Sequence, residues 1–178
     1  MINVKTPNEI SIMASGGRIL AEVLDEVLRN VKPGVSELEL DNLAEKLIRE
    51  KGAESSFKKV KGYKHTICVS TNNVVVHGVP TNYRFKEGDI LGIDCGVYYK
   101  GFNADAAETL CVSTQNSKLK TQNSEKEKFL KTGKRALLEA IEQAKLGNRV
   151  GHISKTIQDI IEGAGYLVVR SLVGHGVG

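Results

Sequence analysis

A chain of 178 residues, 40% of them hydrophobic and 26% charged, is long enough to bury a core and has the make-up of an ordinary globular protein, which excludes a disordered or fibrous polymer. Its net charge of +4 rests on lysines such as Lys58, Lys59, Lys61 and Lys64 that mostly neighbour acids or polar residues; with no Trp to stack bases, this reads as a solvated face and excludes a specific nucleic-acid surface. Cys68, Cys95 and Cys111 lie singly in apolar runs, the first five residues lack a leader's pattern, and no window of eighteen apolar residues exists, so one reduced cytoplasmic domain with no membrane span is expected.

Thr6-Pro7-Asn8-Glu9 is a capping box with Pro at the first helical position, and it predicts a helix whose apolar face runs through Ile10, Met13, Gly17, Leu20, Leu24, Val27, Leu28 and Val31 until Lys32-Pro33-Gly34. Ser36 and Glu39 repeat the device, with Val35 placed to staple Leu40, for a second helix ending near Glu50 before Gly52. Thr66 to Ser70 and Val74 to Val76 read as strands about an Asn72-Asn73 turn, and Asp89 to Tyr98 and Phe102 to Val112 as an antiparallel hairpin. Ser113 to Ser124 is a polar loop, Ser124-Glu125-Lys126-Glu127 a third capping box, and Leu130, Gly133, Ala136, Leu137, Ala140, Ile141 and Ala144 one helical face. A shorter helix around Ile153 to Glu162 and a strand from Tyr166 to Val173 follow.

Long helix, Gly turn, short helix, Gly and strand thus occur twice. A shift of 113 residues lays Lys32 on Lys145, Gly34 on Gly147, Leu47 on Ile160, Ile48 on Ile161 and Gly52 on Gly165. The expected organisation is a single catalytic-type domain, 1–178, with a first half 1–113, a linker 113–124 and a partial second half 124–178 whose own hairpin is missing.

Asp94, in Ile90-Leu91-Gly92-Ile93-Asp94-Cys95-Gly96-Val97, and Asp105, in Asn103-Ala104-Asp105-Ala106-Ala107, are carboxylates in apolar strands, where an unpaired charge is costly. If the hairpin turns on two residues, opposed positions add to an odd number, as 94 and 105 do, so both side chains share a face. Side by side and buried they would trap a proton unless a cation lay between them, and a divalent metal is the economical reading; the alternative is one Asp bonded to backbone at a bulge and the other solvated. His175, between Gly174 and Gly176 after an apolar run, has room to approach such a site. His77, in Val76-His77-Gly78-Val79-Pro80, either projects into a cleft beside the hairpin or caps its loop, and His65 and His152 read as surface or structural.

These segments resemble the type I methionine aminopeptidases. The likeness runs from Thr6-Pro7-Asn8-Glu9 to the last residue, through Asn73 to Pro80, Gly88 to Asp94, Gly101-Phe102-Asn103-Ala104-Asp105 and Gly174-His175-Gly176-Val177-Gly178. The resemblance implies an α+β pita-bread (creatinase/aminopeptidase) fold of duplicated helix-helix-strand halves, the second truncated. By it Asp94 and Asp105 bind and bridge two divalent metal ions (Co, Mn, Fe or Zn), His175 binds the second, and His77 contacts substrate near the scissile bond. Tyr63 and Cys68, with Phe57, fall where the family lines its methionine pocket. The implied reaction is hydrolytic removal of N-terminal Met from peptides and nascent proteins, by a monomer in transient ribosome association. The family's two further glutamates and second histidine lie beyond Gly178, so metal affinity should be poor in this chain alone. A non-catalytic binding module of the same fold would not need the paired carboxylates, and a proline-specific aminopeptidase would not need the Tyr63 and Cys68 pocket.

Overall fold

Thr6 and Ser36 begin the first two helices by the devices their sequences carry. Thr6 Oγ1 accepts from Glu9 N (3.3 Å) while Glu9 accepts from Thr6 N (2.7 Å), and Ser36 and Glu39 do the same at 3.2 and 2.7 Å, satisfying donors that every helix start leaves orphaned. The computed structural model describes residues 3–113 and 124–177. In it α1 spans Pro7–Arg29 and α2 Glu37–Glu50. Gly16, Leu20, Val23, Leu24 and Val27 form the buried stripe of α1; a Cβ on Gly16 would lie 3.5 Å from Tyr99 Cβ, while the adjacent Gly17, expected on the apolar face, meets open space.

The sheet is antiparallel. β1 is Glu54–Ser55, β2 Ile67–Thr71, β3 Ile90–Tyr99 and β4 Phe102–Cys111. β3 is central, with β4 along one edge and, along the other, β2 paired to Leu91–Cys95 followed by β1 at Val97 and Tyr98. Lys100 and Gly101 close the hairpin as a two-residue turn with both φ positive (47° and 95°), the type I′ geometry whose twist matches the strands it joins. Odd-numbered residues of β3 (Leu91, Ile93, Cys95, Val97) and Ile67 and Val69 of β2 bury one sheet face in a core with Leu20, Val23 and Val27 of α1, Leu40, Ala44 and Ile48 of α2, and Phe85. Truncating Ile93 there to Ala would cost about 2–5 kcal/mol, the usual range for a closed core.

Two expected strands are absent among the described residues, and two short elements arise that no pattern foretold. Val74 to Val76 form no strand: after the Asn72-Asn73 turn these valines are exposed in a loop, and on the outer edge of β2 it is Gly78, not a valine, that bonds, its O accepting from Val69 N at 2.9 Å. β1 and a 3₁₀ turn at Phe57–Lys59 go unannounced by pattern, being too short to show a period. Tyr166 to Val173 is also not a strand, for a strand exists only by pairing and its unit holds no other among the described residues. The polar loop expected at Ser113 to Ser124 falls largely outside the described residues, as does the side-chain cap expected of Ser124.

The chain divides into two compact units, Met1–Ser117 with Gly176–Gly178, and Lys118–His175. The second holds α3 (Ser124–Ile141) and α4 (Val150–Gly163), with Ala136, Ala140 and Ile160 buried and Phe129 edge-on to Tyr166 at 5.3 Å. Leu137 and Ile141, expected on its inner face, are exposed. The internal repeat is written in its backbone. α4 is α2 displaced by 113 residues at both ends, Gly34 and Gly147 share φ near 90°, and Gly52 and Gly165 both turn left-handed at 69° and 90°. Equivalent bonds recur: Ala53 N to Ile48 O and Tyr166 N to Ile161 O, both 3.1 Å, and Gly52 N to Arg49 O and Gly165 N to Glu162 O, both 3.0 Å.

Candidate active site

The even-numbered positions of β3 turn away from the core. Across the sheet, one row reads Cys68, Asp94, Ala107, and the next pairs Gly96 with Asp105. Asp94 and Asp105 are therefore diagonal neighbours on one face, as the parity of the hairpin predicts, at roughly 7 Å by the geometry of such pairs. They are not the buried pair their apolar neighbours suggested: Asp94 is half-buried and Asp105 exposed. The physical reason is alternation, since the large apolar residues of β3 point to the other side, leaving the carboxylates beside Gly92, Gly96 and Ala107. What the face offers is two close, accessible hard oxygen donors, which suit a divalent cation.

Aromatic residues wall the same face. An added Cβ at Gly96 would come within 2.7 Å of the Phe57 ring, so that ring lies directly on the row that contains Asp105. Tyr63 meets Phe57 edge to face at 6.3 Å, its hydroxyl donates to Ile67 O at 2.8 Å, and it sits 3.3 Å from Cys68 Sγ. Phe57, Tyr63 and Cys68 are thus brought together with the two aspartates. Burial pushes the Cys68 thiol up in pKa against the lowering effect of its bond with Tyr63, and the charges of Asp94 and Asp105 add to the rise. Burial raises the Tyr63 phenol as well, and burial followed by Asp94 carries Cys95 up to about 12. All three cysteines are free thiols; Cys111 is only half-buried.

His77 stands exposed on the loop after β2 with φ of 55°, a left-handed conformation that costs a non-glycine residue energy and is found where the surroundings impose it. The imposition is visible. Val69 N donates to Gly78 O (2.9 Å), Gly78 N donates to Ser70 Oγ (3.3 Å), and a Cβ on Gly78 would stand 2.0 Å from Val69 O. Only glycine lets this loop lie so close to β2. His175 is exposed in the second unit, in a segment that is neither helix nor strand. Among the described residues no group of three or more His, Cys, Asp or Glu converges. His65 and His152, read as surface or structural, make hydrogen bonds: His65 Nδ1 pairs with Asp41 at 2.8 Å, and the exposed His152 accepts at Nδ1 from Arg149 N at 2.9 Å.

Three buried acids escaped the reading of the sequence. Asp41 accepts from Thr66 N (2.7 Å) and Ile67 N (3.1 Å) and fixes the entry of β2. Asp89 accepts from Asn72 Nδ2 (2.9 Å), Tyr83 Oη (2.9 Å) and Lys86 N (2.8 Å). Glu37 accepts from Thr71 Oγ1 (2.7 Å) and from Thr81 N and Oγ1 (2.9 and 2.8 Å). Asp41 had a signal, lying between Leu40 and Ala44 on the buried stripe of α2, whereas the partners of Glu37 are 34 and 44 residues away and leave no local trace.

The family model for metallopeptidase family M24 matches residues 11–178, and the chain belongs to that family, with its α+β pita-bread fold; it is of the metalloaminopeptidase class and implies divalent metal ions. Its relatives place it more narrowly, among the methionine aminopeptidases. It is 42% identical to methionine aminopeptidase from Clostridium perfringens and 40% to methionine aminopeptidase 1 from Bacillus subtilis, in each case over its whole length and 69% of theirs. The crystal structure of methionine aminopeptidase from Thermotoga maritima superposes with a TM-score of 0.92 at 36% identity, again over the whole chain and 69% of the other. No helix among the described residues is long and apolar enough to cross a membrane.

Proposed function

We propose that this chain takes part in removing the initiator methionine from nascent cytoplasmic proteins, by metal-assisted hydrolysis of the first peptide bond at the face that carries Asp94 and Asp105. The observation that carries the reading is the coincidence of two things on one sheet face: a diagonal carboxylate pair, and a wall of Phe57, Tyr63 and Cys68 whose rows are those of the carboxylates. Two divalent ions at Asp94 and Asp105, with His175 as a further donor, would supply Lewis acidity and an activated water. The residues of the wall suit an unbranched thioether, since two aromatic rings and a thiol give a soft, polarisable lining for sulfur. His77 is the group on the adjoining loop that can donate a hydrogen bond to the substrate amide as it reacts. The reading takes 1–178 as one catalytic domain with halves 1–113 and 124–178 joined by 113–124, and it draws support from the methionine aminopeptidases to which the whole chain is similar.

Hydrolysis of a methionyl peptide with added Mn²⁺ or Co²⁺, measured on the chain and on Asp94→Ala, tests it. Metal-dependent turnover that the substitution abolishes is the expected result. Equal rates, or no turnover by the unaltered chain at any metal concentration, would sink it.

A further inference from the structure

We propose that Glu37 is a positioning residue for His77, closing the base of the loop that carries it, an inference that rests on the reading of His77 as the substrate-facing group of this site. Glu37 is the first residue of α2 and is only 5% exposed, yet among the described residues it pairs with neither a lysine nor an arginine. One carboxylate oxygen takes the Thr71 hydroxyl at 2.7 Å, and the other takes both the amide and the hydroxyl of Thr81 at 2.9 and 2.8 Å. Thr71 is the last residue of β2, and Thr81 lies where the loop returns. A single side chain therefore holds both ends of residues 72–80, with His77 in between.

The helix start completes the arrangement. Glu37 N and Leu38 N donate to Tyr83 O and Thr81 O, both at 3.1 Å, so the orphaned N–H groups of α2 are used on the same returning strand of chain. A carboxylate at a helix N-terminus is favoured by the helix dipole, and three donors replace the water it lost on burial. The left-handed φ of His77 is a conformation the loop would leave if its ends were free to separate; clamping them at Glu37, with Gly78 pinned on β2, over-determines it. No local pattern announces this role, because the capping box is complete with Ser36 and Glu39 and gives Glu37 nothing to do.

Amide hydrogen exchange on the full chain, with Glu37→Ala, Glu37→Gln and the double substitution Thr71→Val with Thr81→Val, separates positioning from general stability. Exchange across 72–81 should quicken by at least about tenfold in Glu37→Ala and in the double variant, while that of β3 and β4 stays within twofold, as expected for a local opening. Glu37→Gln, which keeps the shape and one good acceptor, should fall between. In the peptide assay the same variants should lose kcat with little change in KM. Exchange in 72–81 that does not change, or that rises equally in β3 and β4, overturns the proposal. An unaltered chain that turns over no peptide would remove the reading of the site, while the exchange data would still decide whether Glu37 clamps the loop.

Discussion

Two glycines, Gly78 on the loop beside β2 and Gly96 in β3, show how differently a missing side chain can be used. At Gly78 the space for a Cβ is taken by the backbone of Val69, which cannot move without breaking the sheet, so Gly78→Ala should cost about 3 kcal/mol or more and should lower the urea midpoint sharply. At Gly96 the space is taken by the ring of Phe57 and by Ser56 Cβ at 3.0 Å, and the ring can swing. Gly96→Ala should therefore cost only about 1 kcal/mol but raise KM for methionyl peptides several-fold, because it moves a wall of the proposed pocket. Asp89 supplies the pH dependence. Although burial opposes it, the bonds from Asn72, Lys86 and Tyr83 hold its carboxyl below the usual range. A folded pKa below the unfolded one contributes stability that is full above the unfolded value and is lost as pH falls through the folded one. Acid unfolding should accordingly steepen below about pH 4, and Asp89→Asn should flatten that limb while lowering stability at neutral pH.

At the level of the elements, the capping boxes give the clearest contrast. Ser36 caps α2 from both sides, whereas the equivalent residue of α4 is Arg149, whose guanidinium has no acceptor, so only the reverse bond from Arg149 N to His152 forms. Arg149→Ser should raise stability of the second unit by about 0.5–2 kcal/mol, read as an upward shift in the thermal midpoint of its helical signal. An unchanged midpoint would mean that α4 frays regardless of its cap. The same contrast explains what the sequence could disclose. Helices with caps and long apolar stripes were legible to within a few residues, and so was the hairpin, because period two and a two-residue turn fix which residues share a face. Val74 to Val76 and Tyr166 to Val173 have strand composition and are not strands, because a strand forms only where another segment pairs with it, a fact that no local window contains.

For the whole molecule the testable quantity is linkage. If Asp94 and Asp105 hold a divalent ion in the folded state only, Mn²⁺ or Co²⁺ at a hundred times its dissociation constant should stabilise the chain by about 2.7 kcal/mol, a chelator should reverse the shift, and Asp105→Ala should abolish it. A shift that survives Asp105→Ala would move the site elsewhere. That Asp94 and Asp105 share a sheet face is legible in the sequence because hairpin parity is a local property; their exposure is not, because it depends on what covers the face.

The repeated turns carry one more consequence. α2 and α4 keep the same length, the same left-handed glycines and the same bonds behind them, yet Glu37 and Asp41 in the first have Val150 and Ser154 as counterparts in the second. The repeat is carried by backbone punctuation, while the anchors Glu37 and Asp41 have no acidic counterpart in α4. Substitution tolerance measured in one half cannot be transposed to its twin: Val150 should accept almost any residue where Glu37 accepts almost none, and a map of the two would diverge most at such structurally equivalent positions.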